Sequence, residues 1–323
     1  MQKILISGYT GFIGSNLTRK LNDKIIFGVD IFQNDTVQRH FQWDELEECK
    51  GQQAIIHLAG KAHDTKNTLS FQEYFDINVG LTQRIFDFFL KTPAQKFVFF
   101  SSVKAVADSV TGYQLTEDVF PNPKTPYGRS KLEAENYILN EFERWKDKEI
   151  ACGRDYEWKK VYILRPCMIH GPGNKGNLNL LFKLQQKGLP WPLGAFENNR
   201  SFCSIENLVY VVQQLIDENI KSGTYQVSDD ESFSTNELIK LIAIYLNKKA
   251  NIWCIPPGII RLFAKSGNLL RLPLNIERLE KLTETYIVSN KKLKDALGIV
   301  KMPYTSIEGM NLTIKSFIEE NHV

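Results

Sequence analysis

Short apolar segments alternate with helical patterns through the first half of the chain, and this alternation limits the fold more than any other feature. Five apolar segments have the composition of buried strands: 4–7, 25–30, 54–58, 97–101 and 161–164. Between them, helical periodicity appears near 12–22, 70–91 and 126–145. Such alternation predicts an α/β fold, a doubly wound parallel sheet of Rossmann type with helices on both faces.

A glycine-rich loop joins the first strand to the first helix, with the spacing Gly8-x-x-Gly11-x-x-Gly14. Glycines permit a tight turn and close backbone approach, so a pyrophosphate could sit on the helix N-terminus. A strand–turn–helix without a ligand would explain the glycines alone. Asp30 ends the second strand, where a carboxylate would accept hydrogen bonds from an adenosine ribose. The nearest arginine is Arg39, so the sequence favours NAD over NADP, which needs a partner for its 2′-phosphate.

Tyr127 and Lys131 lie four residues apart in Pro126-Tyr-Gly-Arg-Ser-Lys131, about one helical turn, and so share a face. A phenol normally ionises near pH ~10, and an adjacent ammonium favours the phenolate. The pair alone is weak evidence, because this spacing occurs by chance on exposed helices. The glycine loop and Ser101-Ser102, which closes an apolar strand, strengthen it. The spacing therefore predicts a phenol whose ionisation is brought closer to neutral pH by a neighbouring ammonium.

The pattern changes after Arg165-Pro166. Residues 170–200 are rich in Gly, Pro and Asn with little periodicity, which predicts loops around a ligand. Further along, the sequence predicts helices near 205–217 and 234–246 and a strand at 225–227. The expected domains are an NAD-binding domain and a smaller interleaved α/β domain for the substrate. The first covers 1–170 with a contribution from 201–228, and the second covers 171–200 and 229–323.

The overall composition limits which classes of protein this chain can belong to. Hydrophobic residues make up 43% and charged residues 24%, which is typical of a folded globular chain. The net charge is +3 with scattered lysines, so solvated surface charge is favoured over nucleic-acid binding. Five cysteines without a Cys-x-x-Cys motif are interpreted as reduced thiols in a cytoplasmic protein, with no metal site expected.

Neither a signal peptide nor membrane insertion is expected. The chain enters a strand pattern at residue 3, and no apolar window is long enough to span a bilayer. The closest window, 255–274, carries Arg261, Lys265 and Arg271. We favour a core-facing amphipathic helix there over one that rests on a membrane surface.

Five ordered motifs carry a family resemblance: the loop at 8–14, His57-Leu-Ala-Gly60, Asn78 in Asp-Ile-Asn-Val, Ser101-Ser102 and Tyr127-x-x-x-Lys131. Together they resemble the extended short-chain dehydrogenase/reductase family, and within it the nucleotide-sugar epimerase and dehydratase branch. Later segments agree, so that the resemblance runs nearly end to end: Leu164-Arg-Pro166, His170-Gly-Pro-Gly173, Asn199-Arg-Ser-Phe202 and Glu206-Asn-Leu208.

The resemblance implies specific roles for the candidate catalytic residues. Tyr127 would be the acid/base, Lys131 would lower its pKa and bind the nicotinamide ribose, and Ser102 would hydrogen-bond the reacting oxygen. Ser102 could also be only a strand-end hydroxyl that caps a loop. Ala107 replaces a glycine that is usual in the family. Contacts to the cofactor are implied for these residues: Gly8, Gly11, Phe12, Ile13, Gly14, Asp30, Leu58, Ala59, Gly60, Asn78, Tyr127, Lys131 and Pro166.

The substrate side is implied by the same analogy. Asn177 and Arg200, together with Ser102, resemble family positions that hold a nucleoside-diphosphate sugar, and an arginine fork suits a diphosphate. Arg200 could instead form a surface salt bridge, and Asn177 could be a turn residue. Arg271 is a further candidate for a phosphate contact.

The resemblance leaves several reactions open. A 4,6-dehydratase would have Asp-Glu after its catalytic hydroxyl, where this chain has Val103-Lys104, so dehydration is disfavoured. A UDP-sugar 4-epimerase of surface-polysaccharide synthesis is expected first, a 4-keto-sugar reductase second, and a non-catalytic dinucleotide sensor third. A homodimer through the helices near 70–91 and 126–145 is also expected from the family.

Overall fold

A computed structural model of the chain describes residues 1–62, 71–174, 176–270 and 276–320. Arg271, the further candidate for a phosphate contact, lies outside the described residues.

Within the described residues, ten strands form two sheets. In chain order they are β1 (Lys3–Ser7), β2 (Ile25–Val29), β3 (Arg39–Phe41), β4 (Ala54–His57), β5 (Lys96–Phe100), β6 (Lys160–Pro166), β7 (Met168–His170), β8 (Arg200–Ser204), β9 (Gly223–Val227) and β10 (Ser232–Phe233). Seven of them make a parallel sheet in the order β3-β2-β1-β4-β5-β6-β9. The other three make a small sheet in the order β10-β8-β7.

The described residues contain ten α-helices. They are α1 (Phe12–Lys20), α2 (Phe71–Lys91), α3 (Pro126–Ala151), α4 (Asn177–Gln186), α5 (Ile205–Asp217), α6 (Thr235–Tyr245), α7 (Pro257–Leu270), α8 (Ile276–Thr283), α9 (Lys291–Leu297) and α10 (Ser306–Glu320). None of the helices in the described ranges has the length and apolar character needed to cross a bilayer.

Both faces of the seven-stranded sheet are covered by helices. Side chains alternate along a strand, so Ile4 and Ile6 of β1 join the apolar cluster that contains Leu17 of α1 and Leu208 of α5. Leu5, between them, joins the opposite cluster, with residues of α2 and α3. The strands are therefore buried on both sides, as parallel strands usually are. The predicted α/β fold with a doubly wound parallel sheet is confirmed.

A smaller α/β unit surrounds the three-stranded sheet. Phe202 of β8 packs in one cluster with Phe182 of α4, Leu238 of α6 and Phe317 of α10. β9, within 201–228, lies in the large sheet, whereas β8 pairs with β7 in the small one. The residue ranges assigned to the two domains stay a prediction.

The prediction of loops throughout 170–200 is wrong, because α4 occupies 177–186. The helix starts after Gly176 and buries Leu178, Phe182 and Gln185, which lie three and four residues apart. Glycine and asparagine at its start hid this short periodicity from the sequence analysis.

Lys159 anchors the segment 152–159, which connects α3 to β6. Its ammonium donates hydrogen bonds to the carbonyl oxygens of Phe89, Thr92 and Ala94 at 2.9, 2.7 and 2.9 Å. An ammonium has three N–H donors, and here each has a backbone acceptor at the carboxyl end of α2. The connection therefore fixes the position of α2 relative to β6.

Candidate active site

The loop between β1 and α1 brings backbone very close to the loop after β4. Gly8 has φ +72°, and a Cβ added there would lie 2.6 Å from the Ala59 nitrogen. A Cβ on Gly14 would lie 2.4 Å from the Gly8 oxygen. The first turn of α1, which begins with Phe12 and Ile13, has no acidic residue and no side-chain cap. The positive end of this helix is therefore suited to an anion such as a pyrophosphate.

Asp30 lies directly after β2, beside that loop. Its Oδ2 accepts hydrogen bonds from the Thr10 nitrogen and hydroxyl at 3.1 and 2.7 Å, and its Oδ1 accepts one from the Ile31 nitrogen at 2.7 Å. A carboxylate has about four acceptor positions, so Oδ1 retains one for a ribose hydroxyl. The glycine loop, the helix end and this carboxylate fit NAD. Thr10, which orients Asp30, was missed by the sequence analysis.

Replacing Gly8 with alanine should weaken NAD binding and destabilise the fold, because alanine is strained at φ +72° and its Cβ would collide with backbone. We expect a loss of about 2–4 kcal/mol in the free energy of unfolding, read from urea denaturation. Gly153→Ala is the matched control, since Gly153 has φ +66° with no atom within 4 Å of its Cβ position. Equal losses in the two variants would show that the collision is unimportant.

Ser102 and Tyr127 lie together where β5 ends and α3 begins. Thr125 caps α3 by accepting a hydrogen bond from the Gly128 nitrogen at 3.2 Å, and Tyr127 is the second residue of the helix. The Ser102 hydroxyl lies beside the Tyr127 phenol and lowers its pKa. It also accepts from the Lys104 nitrogen at 3.2 Å, so it caps the short 3₁₀ helix Val103–Ala105 as well.

The pKa of Tyr127 is raised in the protein chain. Burial is the largest cause, the hydrogen bond from Ser102 opposes it, and the charge of Tyr74 raises the pKa further. Lys131 is not among the causes of this shift, so the expectation that it lowers the pKa of Tyr127 stays a prediction. Tyr74 was missed by the sequence analysis, although its ring centroid lies 6.4 Å from that of Tyr127.

Lys131 is buried one turn further along α3, and its ammonium points at the end of β5. The Nζ atom donates to the Phe100 oxygen at 2.9 Å and lies 4.9 Å from the centre of the Phe99 ring. Burial lowers the pKa of Lys131 to about 8, and the charge of Glu135 acts in the opposite direction. The lysine can therefore change charge close to neutral pH.

We expect activity to fall as the pH rises above about 8, because Lys131 loses its proton there and with it the charge that favours phenolate. The value of kcat/KM should drop about tenfold per pH unit beyond that point. Measurements from about pH 6 to about pH 10 cover the range in which a lysine of this kind loses its proton. An arginine stays protonated over this range, so the residual activity of Lys131→Arg should show no such decline. A decline of the same shape in Lys131→Arg would assign it to another group.

Behind Ser102 and Lys131 lies a buried ion pair. The Glu135 carboxylate accepts hydrogen bonds from Arg165 Nε at 2.9 and 3.2 Å and from its terminal nitrogen at 2.5 Å. The Ser101 hydroxyl also donates to Glu135. Ser101 is thus turned into the protein, whereas its neighbour Ser102 meets the phenol. Glu135 follows Lys131 by four residues, a spacing that could have revealed it in the sequence.

Asn78 ties the loop after β4 to α3. Its Oδ1 accepts from the Lys61 nitrogen at 2.7 Å, and its Nδ2 donates to the Lys61 oxygen at 3.1 Å and to Ser130 at 2.9 Å. Both N–H groups are used within the protein, which suits a supporting role for this amide. A Cβ on Gly60 would lie 2.8 Å from Asn78 Oδ1 and 3.4 Å from Lys131 Nζ. The loop Leu58-Ala-Gly60 therefore lies against the catalytic helix.

His57, in the same region, is a core residue. Its ring nitrogens contact Ser7 at 2.6 Å and Thr82 at 2.9 Å. Burial, and after it the charge of Lys131, lowers the pKa of His57 well below its ordinary value. The ring is therefore neutral and structural.

The candidate substrate residues lie in the smaller unit. Asn177 is the exposed first residue of α4, and Arg200 begins β8, where it pairs with Glu284 at 3.3 Å. The backbone of Arg200 also forms an isolated β-bridge with Tyr286. The Tyr286 hydroxyl donates to the Ala107 oxygen at 2.7 Å. Tyr286 thus links the Arg200 strand to the loop that follows Ser102. Pro166 ends β6, next to β5 in the large sheet.

A doubly wound parallel sheet with a glycine-rich turn after its first strand and a carboxylate after its second is typical of dinucleotide-binding enzymes. The chain belongs to the NAD dependent epimerase/dehydratase family, whose model matches residues 4–228. The predicted family, enzyme class and NAD cofactor are confirmed.

Relatives and solved structures agree with this placement. The chain is 29% identical to the UDP-glucose 4-epimerase of Vibrio cholerae, over 99% of this chain and 97% of that protein. It is 25% identical to an N-acetyl-alpha-D-glucosaminyl-diphospho-ditrans,octacis-undecaprenol 4-epimerase of Escherichia coli O157:H7, over 97% and 94%. The fold matches the UDP-N-acetylglucosamine 4-epimerase from Bacillus cereus with a TM-score of 0.74 at 19% identity, covering 99% of each chain. MoeE5 in complex with UDP-glucuronic acid and NAD gives the same TM-score at 20% identity, covering 98% of this chain and 99% of that one.

Proposed function

We propose that the protein is an NAD-dependent 4-epimerase of a UDP-sugar. The observation that carries the proposal is the meeting of Ser102, Tyr127 and buried Lys131 where β5 ends and α3 begins. The positions after Ser102 offer no acid for a dehydration: Val103 is buried, and the ammonium of Lys104 donates to the Asp108 oxygen at 2.7 Å. The Vibrio cholerae relative supports the choice of substrate.

The chain's own residues supply the proton chemistry. When bound, NAD would supply the hydride acceptor for C4 of the sugar and, once reduced, the hydride donor for the opposite face of the ring. Tyr127 Oη takes the proton of the C4 hydroxyl as the ketone forms and gives it back as the ketone is reduced. Ser102 hydrogen-bonds the C4 oxygen throughout, and the charge of Lys131 favours the phenolate. Arg200 and Asn177 hold the diphosphate while the sugar turns.

Incubation with UDP-glucose, UDP-galactose and their N-acetyl forms tests the proposal. We expect interconversion at C4 without added NADH, because the hydride is returned within one turnover. Turnover only of a 4-keto sugar, and only with NAD(P)H, would overturn it.

That second outcome would identify a 4-keto-sugar reductase, for which the same three residues suffice. The GDP-6-deoxy-D-mannose reductase of Pseudomonas aeruginosa, 23% identical over 75% of this chain, supports this alternative. A non-catalytic dinucleotide sensor would need neither Tyr127 nor Lys131. Biological function that survives Tyr127→Phe would favour the sensor.

A sugar carried on a polyprenyl diphosphate is a second candidate substrate. The Escherichia coli relative is named for such a substrate, which shares its diphosphate with a UDP-sugar. The exposed apolar side chains of Leu262 and Phe263 on α7 favour this candidate. Incubation with undecaprenyl-diphosphate N-acetylglucosamine, followed by mass spectrometry and sugar analysis, tests it.

The assembly and location are proposed on the same basis. A cytoplasmic enzyme of surface-polysaccharide synthesis would work as a homodimer in which α2 and α3 of two copies pack together. Leu139 of α3 is 43% exposed and Phe71 of α2 is 45% exposed, so both helices offer apolar surface to a partner. Light scattering of the purified protein distinguishes a dimer from a monomer.

A further inference from the structure

Helix α7 has apolar side chains on two opposite sides. Ile260 and Ala264 face inward and are 5% and 0% exposed, which confirms the predicted core-facing helix. Ile259, Leu262 and Phe263 are 47%, 66% and 65% exposed. By helical periodicity these three share a side that points away from the core. Contiguous apolar surface of this kind marks an interaction site.

The charge on α7 is entirely positive. Arg261 and Lys265 are exposed and lie four residues apart, so they form one row beside the apolar side. The helix sequence 257–270 contains no Asp or Glu. A long basic side chain at the border of an apolar strip can place its charge in a lipid headgroup layer while its stem stays in contact with apolar surface.

We propose that the outward side of α7 docks on the surface of a membrane that contains anionic lipids. Ile259, Leu262 and Phe263 would enter the boundary between headgroups and acyl chains, and Arg261 and Lys265 would meet the anionic headgroups. The helix would lie in the plane of the membrane without crossing it. The complementary charge is what favours a lipid surface over a protein partner or a second copy of this chain.

The position of α7 connects this surface to the candidate substrate site. Ile260 packs in one cluster with Leu181 and Leu184 of α4, the helix whose first residue is Asn177. Docking would therefore hold the diphosphate-binding side of the smaller unit at the membrane, where lipid-carried sugars are found. The docking itself does not depend on the proposed function, since it needs only the residues of α7.

Co-sedimentation of the full-length protein with vesicles tests the proposal. We expect binding to vesicles of phosphatidylcholine mixed with phosphatidylglycerol, weakened by salt because surface charge is screened. Each basic residue near an anionic surface contributes about a fivefold change in binding, so Arg261→Gln with Lys265→Gln should lower it about 25-fold. Phe263→Glu should lower it by about tenfold or more.

Matched variants keep the test decisive. Val300 is 86% exposed at another part of the surface, and Val300→Glu should bind vesicles as the wild type does. All variants should retain the thermal midpoint and the C4 activity on soluble UDP-sugars. Absence of binding to anionic vesicles would overturn the proposal. A change in oligomeric state by Phe263→Glu without a change in vesicle binding would overturn it as well, since it would assign the surface to a second copy.

Discussion

Tyr127→Phe should abolish most of the epimerase activity while leaving the fold and the bound cofactor intact. The change removes one oxygen, the atom that would hold the proton of the sugar C4 hydroxyl. General acid–base groups contribute about 10²–10⁴-fold to rate, so we expect a loss near 10³-fold. Initial rates of C4 epimerisation measure it, with NAD content read by chromatography after denaturation.

Tyr137→Phe provides the control on the same helix. The Tyr137 phenol donates to Asp87 at 2.6 Å, so this variant also removes a hydrogen-bonded phenol from α3. It should retain close to the wild-type rate. If Tyr127→Phe kept more than about a tenth of the activity, Tyr127 would not be the acid/base group.

Arg165→Met should destabilise the protein strongly, because it leaves the Glu135 carboxylate buried without its charge partner. Glu135 and Arg165 are 1% and 7% exposed, which excludes water as a substitute. Removing one member of a buried ion pair typically costs about 3–5 kcal/mol. Urea denaturation followed by circular dichroism measures the loss in the free energy of unfolding.

Two further variants test whether the loss of stability comes from charge or from packing. Arg144 has a side chain 75% exposed and pairs with Glu141 on the surface, so Arg144→Met should cost less than about 1 kcal/mol. The double variant Glu135→Gln with Arg165→Met removes both charges and should recover part of the loss. A double variant as unstable as Arg165→Met would attribute the loss to packing.

Much of the fold could be predicted because its signals are local. Apolar runs of four to six residues predicted the strands β1, β2, β4, β5 and β6, and the glycine loop predicted the start of α1. Elements with weak local signals were missed. β3 has only three residues, and α4 starts in a segment rich in glycine and asparagine.

The candidate site, like the fold, could be predicted only where its signals are local. The residue types and spacing of Tyr127 and Lys131 are visible in the sequence, but the sign of the Tyr127 pKa shift is not. Burial decides that sign, and burial depends on how α3 packs against β5 and on the neighbouring ring of Tyr74. A pattern in sequence cannot report the desolvation of a group.

The sequence by itself determined the alternation of strands and helices in the first half of the chain, the glycine loop and the identity of the hydroxyl, phenol and ammonium groups. Only the tertiary structure decided that Ser102 meets Tyr127 while Ser101 turns to Glu135, and that Tyr286 links the Arg200 strand to the catalytic loop. Periodicity is encoded in neighbouring residues, whereas these contacts join residues 25 to 179 positions apart. Their geometry exists only once the sheet and its helices have packed together.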